Sequence, residues 1–210
     1  MNFFILGGPI CSDGSEFDFD GGDWTSVGDA PRCDACGNAY ALLPFVPPIR
    51  GMLVADRSVF DLSQTTGREV LVSEGCIRAF GDHGIRGLFQ PERIELLGVD
   101  GPVDLKTVGT YFLGRVDWGA EIDRIASGLK TTQTQPCPKC GFAGLIEGYD
   151  RVVVIEATWD GRDWFSVKGL PGVIMVAERL RNLCRGLKLR VCGLTPAEEY
   201  SAPWLSKSKG

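Results

Sequence analysis

Cys33-Asp34-Ala35-Cys36-Gly37 and Cys137-Pro138-Lys139-Cys140-Gly141 are two copies of one short motif, and the rest of the chain is read outward from them. Each is a Cys-x-x-Cys-Gly hook. Two intervening residues let a tight turn aim both sulfurs at one ion, and a glycine after the second cysteine takes the positive φ that brings backbone close to sulfur. Four thiolates from two hooks match the ligand set of a closed tetrahedral zinc site, so Cys33, Cys36, Cys137 and Cys140 are the candidate ligands of one structural zinc. The competing readings are redox pairs and coincidence. A redox motif would open a helix inside a strand-helix-strand unit, and neither hook precedes a helical pattern.

Outward from the hooks the two halves keep the same order. After the first, residues 40–46 are apolar and run into Pro44, Pro47 and Pro48, which confine any strand to an edge. Val70-Leu71-Val72 reads as a buried strand, followed by a helix capped by Ser73 with Cys76, Ile77 and Phe80 on one face and Gly81 and Gly84 at its end. Residues 88–97 and 111–118 read as strands, and residues 120–129 as a helix with Ile122, Ile125 and Leu129 inward. After the second hook, residues 151–159 form the strongest strand pattern in the chain. Val173-Ile174-Met175-Val176 then leads into a helix over 177–186 with Leu180, Leu183, Cys184 and Leu187 at helical spacing, and residues 189–194 read as a strand before Pro196. Residues 1–7 read as a further strand, and the tail after Tyr200, with Lys207 and Lys209, as loose.

Two features share one offset. Cys33 and Cys137 are separated by 137 − 33 = 104 residues, and Val72-Ser73-Glu74 and Val176-Ala177-Glu178 by 176 − 72 = 104. The pattern predicts a diverged tandem duplication. The fold class expected is mixed α/β: two related strand-helix-strand halves, residues 1–104 and 105–210, joined by a four-cysteine zinc-knuckle site into one compact folding unit. Structural zinc of this kind contributes about 10–16 kcal/mol of apparent binding energy in small zinc peptides.

Composition narrows the function classes. With 44% hydrophobic and 23% charged residues the chain is of ordinary globular composition, and a net charge of −5 argues against a phosphate backbone as main partner. No apolar run approaches the roughly 20 residues of a membrane helix. The start, Met1-Asn2-Phe3-Phe4-Ile5-Leu6, lacks basic residues and a long apolar segment, and a cytoplasmic location is the expectation. There Cys11, Cys76, Cys184 and Cys192 read as small buried hydrophobes. Between Cys11 and Asp29 lie Asp13, Glu16, Asp18, Asp20, Asp23 and Asp29, with Phe17, Phe19 and Trp24 and no basic residue. This is either a solvated loop whose aromatics dip into the core or an acidic surface, with Asp13, Glu16, Asp18, Asp20 and Asp23 as its contact residues, for a basic protein partner.

The paired Cys-x-x-Cys-Gly hooks resemble those of the double-CxxCG motif proteins of myxobacteria. So do Trp24 ahead of the first, Gly169-Leu170-Pro171-Gly172 before the second strand-helix unit, and Val176-Ala177-Glu178-Arg179-Leu180 at its start. Some members of that family are immunity proteins, which bind and neutralise a toxin exchanged between sibling cells by contact. The resemblance implies the four cysteines as zinc ligands and a cognate toxin, encoded by an adjacent gene, as partner. The first half departs from the pattern where Gly75 stands at the place of Arg179, so only the cysteines carry over.

Three functions compete. The first is an immunity protein that acts by binding, with no catalysis of its own. The second is a zinc enzyme, but four cysteines close the metal's shell, and the chain has no Gly-x-Ser-x-Gly elbow, phosphate loop or His-Glu-x-x-His. Its single histidine, His83, sits at a predicted helix end, and Glu74 and Glu178 at predicted helix starts, where capping and dipole roles account for them. The third is a zinc-ribbon nucleic-acid-binding or regulatory protein using Arg179, Arg181, Arg185, Lys188 and Arg190, whose helical spacing reads instead as a solvated face.

Overall fold

The computed structural model describes residues 2–7, 16–18, 26–41, 43–55, 59–65 and 68–202. Among these the chain is mixed α/β, mostly strand with two α-helices. Its first half contains β1 (Phe3–Leu6), β2 (Glu16–Asp18), β3 (Ser26–Val27), β4 (Phe45–Val46), β5 (Ile49–Val54), β6 (Leu62–Gln64), β7 (Glu69–Ser73), α1 (Glu74–Asp82) and β8 (Leu88–Asp100). There follow β9 (Tyr111–Val116), β10 (Trp118–Glu121), β11 (Lys130–Thr131), β12 (Ile146–Gly148), β13 (Trp164–Lys168), β14 (Leu170–Ala177), α2 (Glu178–Gly186) and β15 (Leu194–Pro196). One sheet has the order β10-β13-β14-β1-β15 and the other β2-β5-β8-β9-β7-β6, with β3-β4 and β11-β12 as small separate pairs.

Each main sheet contains a strand that runs straight into a helix. β7 enters α1 at Ser73 and β14 enters α2 at Ala177, equivalent positions at 177 − 73 = 104. The Ser73 hydroxyl accepts the Cys76 N–H at 3.2 Å, a true N-cap, whereas Ala177 offers no side-chain cap. The partner strands also correspond in register. Tyr111 and Leu113 of β9 lie opposite Ser73 and Leu71, while Phe3 and Ile5 of β1 lie opposite Ala177 and Met175. The strand ahead of each hook thus pairs with the helix-leading strand that follows the other hook. β1, from the start of the chain, completes the sheet built mainly after Cys140, and β9 completes the sheet built before it.

The helices explain how the sheets meet. α1 buries Cys76 and Phe80, α2 buries Leu180 and Cys184 at the same positions 104 residues on, and all four share one cluster with Phe4, Val72, Trp164 and Val176 from both sheets. Phe80 and Trp164 meet edge to face at 5.5 Å. The opposite sheet faces bury Phe3, Ile5, Phe165 and Met175 in one case and Leu71, Ile94, Tyr111 and Leu113 in the other, in keeping with strands that alternate between two cores.

Three expected elements take another form. Residues 120–129 are not a helix: Ala120 lies in β10 opposite Val167, and the Asp123 carboxylate accepts the N–H groups of Ile125 and Ala126 to close a turn. A short acid that captures nearby amides offers the backbone an alternative to the helix, and Ile125 is left 94% exposed. Residues 151–155 are extended but form no ladder strand, and Glu156–Thr158 close a 3-10 turn. Val152 and Val154 are buried, yet the N–H groups of Val152, Val153 and Ile155 go to Ala197 O, Ser127 Oγ and Glu121 O, three separate partners instead of one ladder. Residues 189–194 yield only a bridge from Val191 to Leu62 before β15 begins at Leu194. On α2, Leu187 is 44% exposed instead of inward, because it is the C-cap residue beyond the helix's buried stripe. No helix among the described residues is long and apolar enough to cross a membrane.

Candidate metal centre

The two hooks fold into the same knuckle. In the first, the Cys33 N–H donates to Asn38 O at 2.9 Å and the Gly37 N–H to Cys33 O at 2.7 Å. In the second, the Cys137 N–H donates to Phe142 O and the Gly141 N–H to Cys137 O, both at 2.8 Å. Gly37 and Gly141 take φ of 72° and 74°, which is why glycine follows the second cysteine in both.

The knuckles face each other. Their four Sγ atoms lie within 4.8 Å of one another, with Cys33 to Cys137 at 3.9 Å and Cys36 to Cys140 at 3.6 Å. A tetrahedron of thiolates about 2.3 Å from a zinc ion has edges of about 3.8 Å, so the donor set is close in size to such a shell. Cys33 and Cys140 are buried and Cys36 is exposed. The N–H groups of Cys140 and Lys139 pull the Cys137 thiol down to about 6, the same backbone donors that stabilise thiolate in a metal knuckle. Burial pushes the Cys140 thiol up to about 12, and hydrogen bonding with the neighbouring Cys36, Cys137 and Cys33 sulfurs adds to the rise. Across the rim, Lys139 Nζ reaches Asp34 Oδ2 at 2.6 Å, an exposed pair that links the two knuckles and holds the Asp34 carboxyl below the usual carboxylate range.

The knuckles differ in their support. A Cβ on Gly141 would stand 2.7 Å from the backbone of Gly169, in the β13-β14 hairpin, whereas a Cβ on Gly37 would meet nothing within 4 Å. Gly37→Ala therefore meets only the strain of positive φ, about 1 kcal/mol, and Gly141→Ala adds a backbone collision for roughly 2–3 kcal/mol. Thermal melts of both metal-loaded variants should separate them in that order. Equal losses would show that the hairpin does not seat the second knuckle.

The other sequence candidates fall as follows. Asp13, Asp20 and Asp23 lie outside the described residues, as do Cys11 and Trp24, and Glu16 and Asp18 are described only as backbone in β2, opposite Val54 and Met52. His83 is the C-cap residue of α1 and is exposed; Glu74 and Glu178 stand in the first turns of α1 and α2. In the basic group, Arg179 is held by Asp163 and by the carbonyls of His83 and Gly84, and the Arg181 guanidinium lies over the Phe4 ring at 4.3 Å. Cys76 and Cys184 are buried free thiols. Cys192 is buried but disulfide-bonded, a correction to its reading as a free hydrophobe, since spacing along the chain does not show which sulfurs the fold brings together.

Sequence reasoning missed one charged site. Arg68, Glu69, Arg115 and Asp117 converge beside Tyr40 and Trp118. They come from two strands and their flanks, and no motif or spacing marks them. Compared with known proteins, the chain matches no family and no curated protein.

Proposed function

We propose that Cys33, Cys36, Cys137 and Cys140 hold one structural zinc ion that joins two halves descended from a tandem duplication, and that the chain is an immunity protein acting by binding a cognate toxin. The observation that carries the metal reading is the convergence of four Sγ atoms from two like knuckles within 4.8 Å. Zinc is preferred to iron because four thiolates in a tetrahedral frame suit a redox-inert ion whose task is to hold chain segments together. A closed shell of four protein ligands has no open position for substrate, which favours binding over catalysis.

The immunity reading rests on the resemblance carried by the twin Cys-x-x-Cys-Gly hooks, and an acidic chain of net charge −5 suits a basic toxin surface. In this reading the protein works in the cytoplasm; the Cys192 disulfide is the observation that stands against a uniformly reducing location. Native mass spectrometry of the unreduced chain, alone and mixed with an inactivated form of the protein encoded by the adjacent gene, tests both parts. One zinc per chain and a one-to-one complex are the expected results. A metal-free chain that stays folded removes the structural zinc, and a zinc-loaded chain that forms no complex removes the immunity reading while leaving the zinc in place.

A further inference from the structure

A cavity of about 330 Å³ opens between the loop after the first knuckle and the ends of β7, β8 and β9, and its lining includes Arg68, Arg115, Glu69, Asp117, Leu43 and Phe89. Its size is at the lower end of ligand-binding cavities. It is separate from the metal centre, since none of the four cysteines lines it.

The state of its two arginines decides what it can hold. The Arg68 guanidinium is fixed over the rings of Tyr40 and Trp118, at 5.3 and 5.6 Å from their centroids. Its Nε is buried and has no acceptor, and its Nη1 reaches the Asp117 carboxylate only at 3.5 Å, long for a charged hydrogen bond. Asp117 is 58% exposed and so neutralises Arg68 weakly. Arg115 donates from Nε to Glu69 at 3.2 Å and from Nη2 to Phe45 O at 2.9 Å, and its Nη1 makes no hydrogen bond among the described residues. Glu69, 5% exposed, is already matched by Arg115. Arg68 Nε is sealed from the cavity, so the groups left for a ligand are the guanidinium tips: Arg68 Nη1, with one long contact to an exposed carboxylate, and Arg115 Nη1.

We propose that this cavity binds a monocarboxylate carried on a small apolar body. The carboxylate accepts from Arg68 and Arg115 in place of Asp117, and the body rests on Leu43 and Phe89, apolar side chains that are 51% and 39% exposed. A monoanion is preferred to a phosphate dianion because three carboxylates, Asp29, Glu69 and Asp117, share the lining with the two arginines. The carboxylate can come from a free acid or from the C-terminus of a peptide, and these sources share the same recognition chemistry.

The test is a calorimetric and NMR titration of the full metal-loaded chain with phenylacetate, with phenylacetamide, and with Gly-Gly-Phe as acid and as C-terminal amide. The acids are expected to bind and the amides to bind at least about 10-fold more weakly, as loss of a charge-assisted hydrogen bond implies. Tighter binding of the peptide acid than of phenylacetate assigns the site to a chain terminus, and the reverse assigns it to a free acid. Arg68→Gln should weaken the acids by about 10-fold or more. Leu43→Trp, a change at an exposed position that fills the cavity and leaves both arginines in place, should abolish binding with the fold intact. Acids and amides that bind alike, no binding of any of the four, or full binding by folded Leu43→Trp would overturn the proposal.

Discussion

Cys33→Ser is expected to lose the bound metal and at least about 4 kcal/mol of stability, the linkage of an ion present at a thousand times its dissociation constant. The reason lies in the chain positions of the knuckles. Their cysteines are 137 − 33 = 104 residues apart in sequence, yet Cys33 and Cys137 sulfurs stand 3.9 Å apart, so an ion held there would close a loop of half the chain. Removing one thiolate leaves three and opens the shell to water. Melting followed by circular dichroism, with metal counted by native mass spectrometry, gives the comparison, and excess chelator should bring the wild type down to the melting point of the variant. A Cys33→Ser chain that keeps the wild-type melting point and has no metal would show that the core alone holds the halves.

Asp163→Ala is expected to cost about 2–3 kcal/mol, because it strips a buried acceptor from the Arg86 N–H and from an Arg179 guanidinium that is itself half-exposed and so partly solvated. Asp163 is 3% exposed, and its carboxylate accepts the Arg86 N–H at 2.8 Å and Arg179 Nη1 at 3.1 Å. The same Arg179 guanidinium donates to the carbonyls of His83 and Gly84. This one side chain therefore ties the end of α1 to the start of α2. Gly75 stands 104 residues before Arg179 and has no side chain to make the same tie. Asp163→Asn keeps an acceptor for the Arg86 N–H and should lose less than the alanine change. Urea unfolding of the three proteins measures the order, and a loss below about 1 kcal/mol for Asp163→Ala would remove the tie.

Much of the candidate metal centre was legible because it is built from local signals. A Cys-x-x-Cys-Gly hook closes on its own backbone, so its shape is set within six residues, and the glycine φ of 72° and 74° follows from that shape. The same holds for α1 and α2, where periodicity and, at Ser73, a cap mark the helices directly. The readings that failed rested on patterns shared by two structures. Ile122, Ile125 and Leu129 have helical spacing, but Asp123 turns the backbone aside. The β-branched run Val152-Val153-Val154-Ile155 has strand composition, but among the described residues its pairing is limited to an isolated antiparallel bridge from Val154 to Ile122, just past the end of β10.

By itself, then, the sequence determined the two knuckles, the helices with their buried faces and the 104-residue offset between them, since each depends on contacts within a few turns of chain. Only the tertiary structure decided which strands pair, that β1 completes the sheet of the second half and β9 that of the first, and that Arg68 and Arg115 share a cavity. Strand pairing and the convergence of single residues depend on which distant surfaces pack together, and that energy is spread over the whole core instead of being written in any one stretch.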